Sequence, residues 1–343
     1  MMSHSDLLMK TEMAMPRTLK QACEVQSNGL HDKNDIPGMP LPVLKAAGID
    51  LMDHWKEGLT APGQVSNLLA LRDPSLHRLS ADSIGALCTL SAIADSTAVR
   101  KSAPVIAQAA ESTATPQIRN VATAGGNLFQ RPRCWYYRAH QFDCLKKGGH
   151  MCFAVEGENR YHAVFGNGPC HIVHPSNLAN ALSVCQAEVL VVSSAQGTEE
   201  PRRVPMHQLF CLPEDRLKSE HTLGPDEIAV GISYRAAPHS AHYEVREKQS
   251  FDWPLVMASV ALDMRDDGRT IAAARVCAGG VAPIPWRMPQ VERALAGINV
   301  KDTQRVRQAC DLAIRGAQPM SNNAYKLRIL PVAVSRAVRL AVG

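Results

Sequence analysis

The chain has 343 residues, 45% of them hydrophobic and 20% charged, with a formal net charge of +5. That length exceeds one comfortable core and predicts two or three packed units of ordinary globular composition. The charge is mild and dispersed, which argues against nucleic-acid binding, and no apolar run approaches the roughly 18 residues of a membrane span.

The opening MMSHSDLLMKTEMAMP has neither a long apolar stretch nor a twin-arginine pair, so no cleaved signal is expected. MPRTLKQACEV reads as a short amphipathic helix, followed by a polar, turn-rich link, SNGLHDKNDIPG. PLPVLKAAGIDLMDHWKEG reads as a short strand, a tight turn at Gly48 and a helix through Trp55. IGALCTLSAIADS comes next, closed by Asp95 and Ser96, and then the helical APVIAQAAES. QIRNVATAGGNLF is a glycine-broken segment leading into a cysteine-rich region. HPSNLANALSVC is a helix with Ser176 as its N-cap, AEVLVV is a short buried strand and DEIAVGISY is another with alternation. VMASVALDMRDDGRTIAAARVCAGG reads as two strands joined at Asp266-Asp267-Gly268. Two helical stretches close the chain, DTQRVRQACDLAIRGA and NNAYKLRILPVAVSRAVRLA, the second interrupted by Pro331. A domain boundary is expected near 235–240, where AAPHSAH has linker composition.

Two glycine segments have the form of an anion cradle. In ATAGGNLF, Thr123, Gly125, Gly126 and Asn127 lie on an expected tight bend. Paired glycines there let backbone N–H groups point together and approach a phosphate. AAGIDL, from Ala46 to Leu51, is a weaker version with one glycine at a strand-to-helix turn.

Of ten cysteines, Cys23, Cys88, Cys185, Cys211, Cys277 and Cys310 stand singly among apolar neighbours and read as core residues. Cys134, Cys144, Cys152 and Cys170 are clustered, with nine, seven and seventeen residues between them. The spacing is not that of a zinc knuckle, yet four thiolates on one loop suit an iron–sulfur cluster or zinc. Arg133, Lys146 and Lys147 would offset thiolate charge, Gly148 and Gly149 would allow close backbone approach, and Trp135, Tyr136, Tyr137 and Phe142 would exclude water. A metal or cluster, free thiols and disulfides all remain open on these residues. Histidines 140, 150, 162, 171 and 174 lie in the same region, and none is singled out as a ligand.

In their shared order, KAAGIDLMDHWKEG, QIRNVATAGGNLF, HPSNLANAL, SFDWPLVMASVAL, AGGVAPIPWR and NNAYKLR resemble the flavin-binding medium subunit of molybdenum hydroxylases. This is the xanthine dehydrogenase and aldehyde oxidoreductase family, and the likeness spans nearly the whole chain. CWYYRAHQFDC, GGHMC and GENRYHAVFGNGPC resemble the branch whose flavin subunit also carries a 4Fe-4S cluster, which would make Cys134, Cys144, Cys152 and Cys170 its ligands.

The resemblance implies an α+β (α/β) fold: a two-subdomain FAD-binding domain of the PCMH type followed by a smaller α/β C-terminal domain. The first would span 1–236, with subdomains of about 1–71 and 72–236 and a cysteine-rich loop at 131–172. The second, like that of the CO dehydrogenase flavoprotein, would span 237–343. It implies electron transfer by FAD and the cluster, with no substrate-oxidising residue in this chain. The partners would be a large subunit holding the molybdenum cofactor and a small subunit holding 2Fe-2S centres. Neither nucleic acid nor membrane insertion is expected, and the location would be cytoplasmic, or periplasmic by co-export with a signal-bearing partner.

Carried over by position, Ala46, Ala47, Gly48, Ile49, Asp50 and Leu51 would line the FAD pyrophosphate. Thr123, Gly125, Gly126 and Asn127 would contact pyrophosphate and the flavin side, Asn177 the ribityl or adenosine part, and Lys248 would precede the flavin-facing segment. Three positions depart from the family: Ala47 replaces a glycine, Ile49 a threonine and Asn177 an aspartate. An alanine forced to positive φ would cost on the order of 1 kcal/mol, and a lost hydroxyl donor to phosphate about 1–3 kcal/mol. Two other readings follow, a structural subunit that has lost FAD and keeps its cluster as a staple, and a zinc-stapled adaptor.

Overall fold

The computed structural model describes residues 11–31, 43–59, 63–248 and 251–343. Three short strands, β1 (Glu12–Ala14), β2 (Val43–Lys45) and β3 (Gln64–Asn67), form a parallel sheet in the order β1-β3-β2. The helix Leu19–His31 lies between β1 and β2 in the chain. It opens on a capping box: Thr18 Oγ1 accepts the Gln21 N–H at 3.2 Å, and Gln21 Oε1 accepts the Thr18 N–H at 3.3 Å. The helix continues through Ser27, Asn28 and Gly29, which corrects the polar link predicted there. Ala22 and Cys23 are buried against Val192, Ile228 and Val230, and this packing outweighs weak local propensity. Residues 32–42 of that link lie outside the described residues.

The second sheet is antiparallel, with β4 (Ser83–Gly85), β5 (Glu188–Ser193), β6 (Gly197–Pro205) and β7 (Ile228–Ser233) in the order β4-β7-β5-β6. β5 and β7 are two of the predicted strands; both sheet faces are covered, so Val230, Gly231 and Ile232 of β7 are buried in succession where alternation was expected. One face packs Val189, Val191 and Ile232 against Ile106, Leu178 and Leu182 from the helices Pro104–Ser112 and Asn177–Val184. The other face meets the N-terminal helix. Ser176 caps Asn177–Val184 as expected, accepting the Ala179 N–H at 3.0 Å.

The third sheet contains β8 (Ser240–Val245), β9 (Val256–Met264), β10 (Ile271–Gly279) and β11 (Trp286–Arg287), in the order β11-β10-β9-β8. The predicted hairpin joins β9 to β10, with Gly268 at φ +62° and Asp267 Oδ1 accepting the N–H groups of Arg269 and Thr270 at 2.8 Å each. The last helix, Lys326–Leu340, runs straight through Pro331, where an interruption was predicted. Proline removes one backbone bond, but Leu330, Ala333, Val334, Ala337 and Val338 are buried together and hold both halves on the sheet. The architecture is the expected mixed α+β arrangement, with a smaller C-terminal part. Among the described residues no helix is long and apolar enough to cross a membrane.

Candidate functional site

The first glycine segment leaves β2 at Lys45, turns at Gly48 and enters the helix Ile49–Lys56. Gly48 alone requires the left-handed region, at φ +83°; Ala47 does not have a positive φ, so the strain considered for an alanine there does not arise. No side chain caps this helix. The N–H groups of a first helical turn have no intrahelical acceptor, so the start of this helix at Ile49, Asp50 and Leu51 has the general character that suits an anion.

The Asp50 side chain is engaged elsewhere. Its carboxylate lies 2.7 Å from Arg133 Nη1 and 2.7 Å from Arg138 Nη2, and accepts the Arg131 backbone N–H at 2.7 Å. Arg138 Nη1 also reaches Asp53 at 2.6 Å. Burial works against charge on Asp50, but the two guanidinium groups outweigh it and hold the carboxyl below the ordinary range.

The second glycine segment is the start of the short helix Ala124–Leu128, with Thr123 as N-cap accepting the Gly126 N–H at 3.1 Å. This corrects the bend of converging free N–H groups predicted from sequence. Ala124 donates to Cys88 O at 2.8 Å, Gly125 to Ala86 O at 2.9 Å, and Asn127 to Thr123 O at 2.8 Å. Gly125 serves close packing, since a Cβ there would lie 3.3 Å from the Ala86 carbonyl oxygen. What stays open is the face of Gly126, where a Cβ would meet only Thr123 Oγ1 at 3.1 Å, together with the hydroxyl proton of Thr123. Asn127 is buried and accepts from Ser176 Oγ at 2.7 Å.

Asn177 is not brought to either glycine segment by these contacts. It is buried, and its Nδ2 donates to the Glu244 carboxylate. That carboxylate also takes Ser112 Oγ at 2.7 Å, Arg246 Nε at 2.7 Å and His242 Nε2 at 3.0 Å. Lys248 is exposed between β8 and β9, on the wall of a cavity of about 370 Å³. Cys134, Trp135, His162, Trp253 and Met257 contribute to the same wall. The Arg133 guanidinium sits 4.7 Å from the Trp253 ring centroid, so the arginine that holds Asp50 also reaches this cavity.

The cysteine loop is folded by its own contacts. A short helix, Trp135–Arg138, follows Cys134, and Cys144 pairs with Met151 in an isolated parallel bridge. Gly148 adopts φ +109°, and a Cβ on Gly149 would lie 1.9 Å from Asp143 O, so both glycines are required by the turn. None of the ten cysteines is disulfide-bonded, and the six isolated ones are buried as expected. In the loop, Cys170 donates a hydrogen bond to Cys152, which holds the Cys152 thiol down and pushes Cys170 up. Cys134 Sγ is 3.2 Å from His162 Nε2.

Lys146 is buried with its Nζ 2.5 Å from Glu220 Oε1 and 2.9 Å from Leu217 O, while Arg131 Nε is 2.7 Å from Glu220 Oε2. Two cations thus share one carboxylate, and Lys146 acts electrostatically on Cys170, favouring its thiolate. This surplus of positive charge, four thiols on one loop and the rings of Trp135, Tyr136, Phe142 and Phe153 fit the donor chemistry of a thiolate-bound cluster. Among the described residues no three His, Cys, Asp or Glu side chains are arranged to hold a single metal ion.

Sequence reasoning missed the clamp behind the loop. Lys326 is fully buried, and its Nζ donates to Tyr161 O at 3.0 Å, His162 O at 2.9 Å and Gly280 O at 2.6 Å. Burial pushes this ammonium down to about 7, while one carbonyl for each of its three N–H groups favours the charged form. Asn323 Nδ2 donates to His162 O and Ala163 O at 3.1 Å each. The available signal was the NNAYK stretch, whose polar residues open an amphipathic helix.

Residues 9–233 match the family described as FAD binding domain in molybdopterin dehydrogenase, and 241–341 match the CO dehydrogenase flavoprotein C-terminal domain. The chain is 30% identical over 288 residues to the aldehyde oxidoreductase FAD-binding subunit PaoB of Escherichia coli, covering 82% of this chain and 86% of that one. It is 24% identical over 291 residues to the nicotinate dehydrogenase FAD-subunit of Eubacterium barkeri, with 83% and 79% covered. Among solved structures, quinoline 2-oxidoreductase from Pseudomonas putida superposes with a TM-score of 0.70 at 19% identity, covering 97% of this chain and 96% of the other. Carbon monoxide dehydrogenase from Hydrogenophaga pseudoflava gives 0.69 at 20% identity, with 97% of both chains covered.

Proposed function

The chain belongs to the family of FAD-binding subunits of molybdopterin dehydrogenases, and from that membership we propose that it is the electron-transfer subunit of a heterotrimeric molybdenum hydroxylase. A large partner would hold the molybdenum cofactor and oxidise the substrate, and a small partner would hold 2Fe-2S centres. FAD would supply the electron exchange between those centres and an external acceptor. The uncapped first turn of Ile49–Lys56 carries this reading, because it offers backbone N–H groups suited to a pyrophosphate.

On this reading Ala46, Ala47, Gly48, Ile49, Asp50 and Leu51 hold the pyrophosphate through backbone groups, and the Thr123 hydroxyl and the open face of Gly126 complete its surroundings. Gly125 and Asn127 support that face by packing and by the bond to Ser176. The cavity beside Trp253 is large and apolar enough for part of a flavin, with Lys248 a cation at its wall. Asn177 acts indirectly, by fixing the helix that follows Ser176.

Cys134, Cys144, Cys152 and Cys170 would hold a 4Fe-4S cluster, supported by their clustering, the surplus cations and the aromatic shield. Residues 1–236 would form the FAD-binding domain and 237–343 the C-terminal domain, in the cytoplasm or co-exported with a partner. The occupied N–H groups of the second glycine segment favour a second reading, a structural subunit that keeps its cluster and has lost FAD. Flavin, iron and acid-labile sulfide quantified per chain after purification without oxygen distinguish the two. One flavin with four irons and four sulfides supports electron transfer; four irons with no flavin, and no uptake of added FAD, supports the structural role.

A further inference from the structure

We propose that the cysteine loop positions the FAD phosphate-binding turn through Asp50, so that Arg133 and Arg138 are positioning residues for a cofactor they need not touch. This inference rests on the FAD reading. Asp50 is the second residue of an uncapped helix whose first-turn N–H groups suit an anion. A free carboxylate there would repel a pyrophosphate, and could also turn back to accept the same N–H groups, as acidic residues do at helix starts. Both outcomes are prevented by contacts from the cysteine loop. Arg133 Nη1 and Arg138 Nη2 neutralise Asp50 at 2.7 Å each, the Arg131 N–H takes its other oxygen at 2.7 Å, and Arg138 Nη1 neutralises Asp53 at 2.6 Å.

Two carboxylates on the phosphate-binding helix thus face two guanidinium groups, and the helix start is left to an external anion. The arginines are themselves fixed. Arg138 Nε donates to Pro132 O at 2.8 Å, Arg133 Nη2 donates to Gln130 Oε1 at 3.0 Å, and Arg133 stacks over Trp253. Arg133 and Arg138 flank Cys134, so a change in how the thiols are held reaches Asp50 within one helical turn. FAD affinity becomes dependent on the state of the cysteine loop, and the loop, apart from any electron transfer, acts as a conformational support for the flavin.

The test is FAD binding to the full-length chain, stripped of flavin and titrated with FAD by fluorescence quenching. Arg138→Ala is expected to raise the Kd about tenfold or more, one tenfold step being ~1.4 kcal/mol. Arg138→Lys, which keeps a cation beside Asp50, should recover part of that loss. Arg203→Ala, which breaks the exposed ion pair with Glu188 at the edge of the second sheet and outside the loop, should leave the Kd within about twofold. Should Arg138→Ala fail to fold, Arg133→Gln gives the same readout from the second arginine. An unchanged Kd in the arginine variants overturns the positioning role while leaving the FAD reading intact. An equal loss in Arg203→Ala also overturns it, since a general effect of removing an arginine would then account for both. Wild-type chain that takes up no FAD removes the FAD reading and this inference with it.

Discussion

Asn177 Nδ2 donates into the Glu244 carboxylate, joining the start of the helix Asn177–Val184 to β8 across 67 positions of sequence. The asparagine, at a position where the resemblance implies an aspartate, thus has a carboxylate to donate to. An aspartate at 177 would face the buried Glu244 carboxylate, and asparagine removes that repulsion while adding a donor. Asn177→Asp is expected to destabilise the chain by about 2 kcal/mol, because a buried acceptor loses its donor and gains a like charge. Glu244→Gln in the same chain should recover part of that loss, measured by denaturant unfolding as a double-mutant cycle. Additive effects of the two substitutions would show that the pair does not interact.

The thiol assignment predicts a specific loss. Cys144→Ser should lose iron and sulfide together and loosen the loop, since Cys144 is buried and its bridge to Met151 closes the turn that presents Cys152. Full iron content and unchanged stability in that variant would remove Cys144 from the ligand set.

The open face of Gly126 predicts a different outcome for flavin. Gly126→Val places a branched side chain beside Thr123 Oγ1, on the one face of the second glycine segment that its own backbone leaves free. Flavin content per chain should fall while iron content holds, read from absorption and metal analysis of one preparation. Flavin retained at the wild-type level would free this face of any role.

Acid should destabilise the fold through its buried histidines. Burial and the nearby Arg138 push His54 down to about 4, and burial beside His221 pushes His174 down to about 3. Below about 6.5 the unfolded chain binds protons at these sites that the folded chain refuses, so stability falls as pH drops from 6.5 toward 4. Each histidine contributes up to about 1.4 kcal/mol per pH unit within that window. His54→Phe, which keeps a ring beside Tyr137, should shallow the slope by one proton while changing stability little at pH 7. A slope identical to wild type would mean that His54 is not held neutral in the folded chain.

Local features of this fold were legible wherever a short-range rule governs. Ser176 caps its helix, and Asp266-Asp267-Gly268 makes the hairpin turn. β6 escaped notice because GTEEPRRVP is polar and lies at a sheet edge, where pairing with β5 defines the strand. Pro331 was misleading for the same reason in reverse, since tertiary packing carries a helix past a residue that breaks isolated ones.

By itself the sequence determined the flavin-subunit family, the placement of the glycine turn at Gly48 and the grouping of four cysteines on one loop, because each depends on residue type at short spacing. Only the tertiary structure decided how those parts are used. It committed the second glycine segment's N–H groups to its own chain, turned Asn177 toward Glu244, placed Arg133 and Arg138 on Asp50, and seated Lys326 on three carbonyls behind the cysteine loop. Most of these are polar contacts between residues far apart in the chain. Burial strengthens such contacts and imposes a cost on any left unmade, so they are settled by which surfaces meet in the folded chain and have no local periodicity to reveal them.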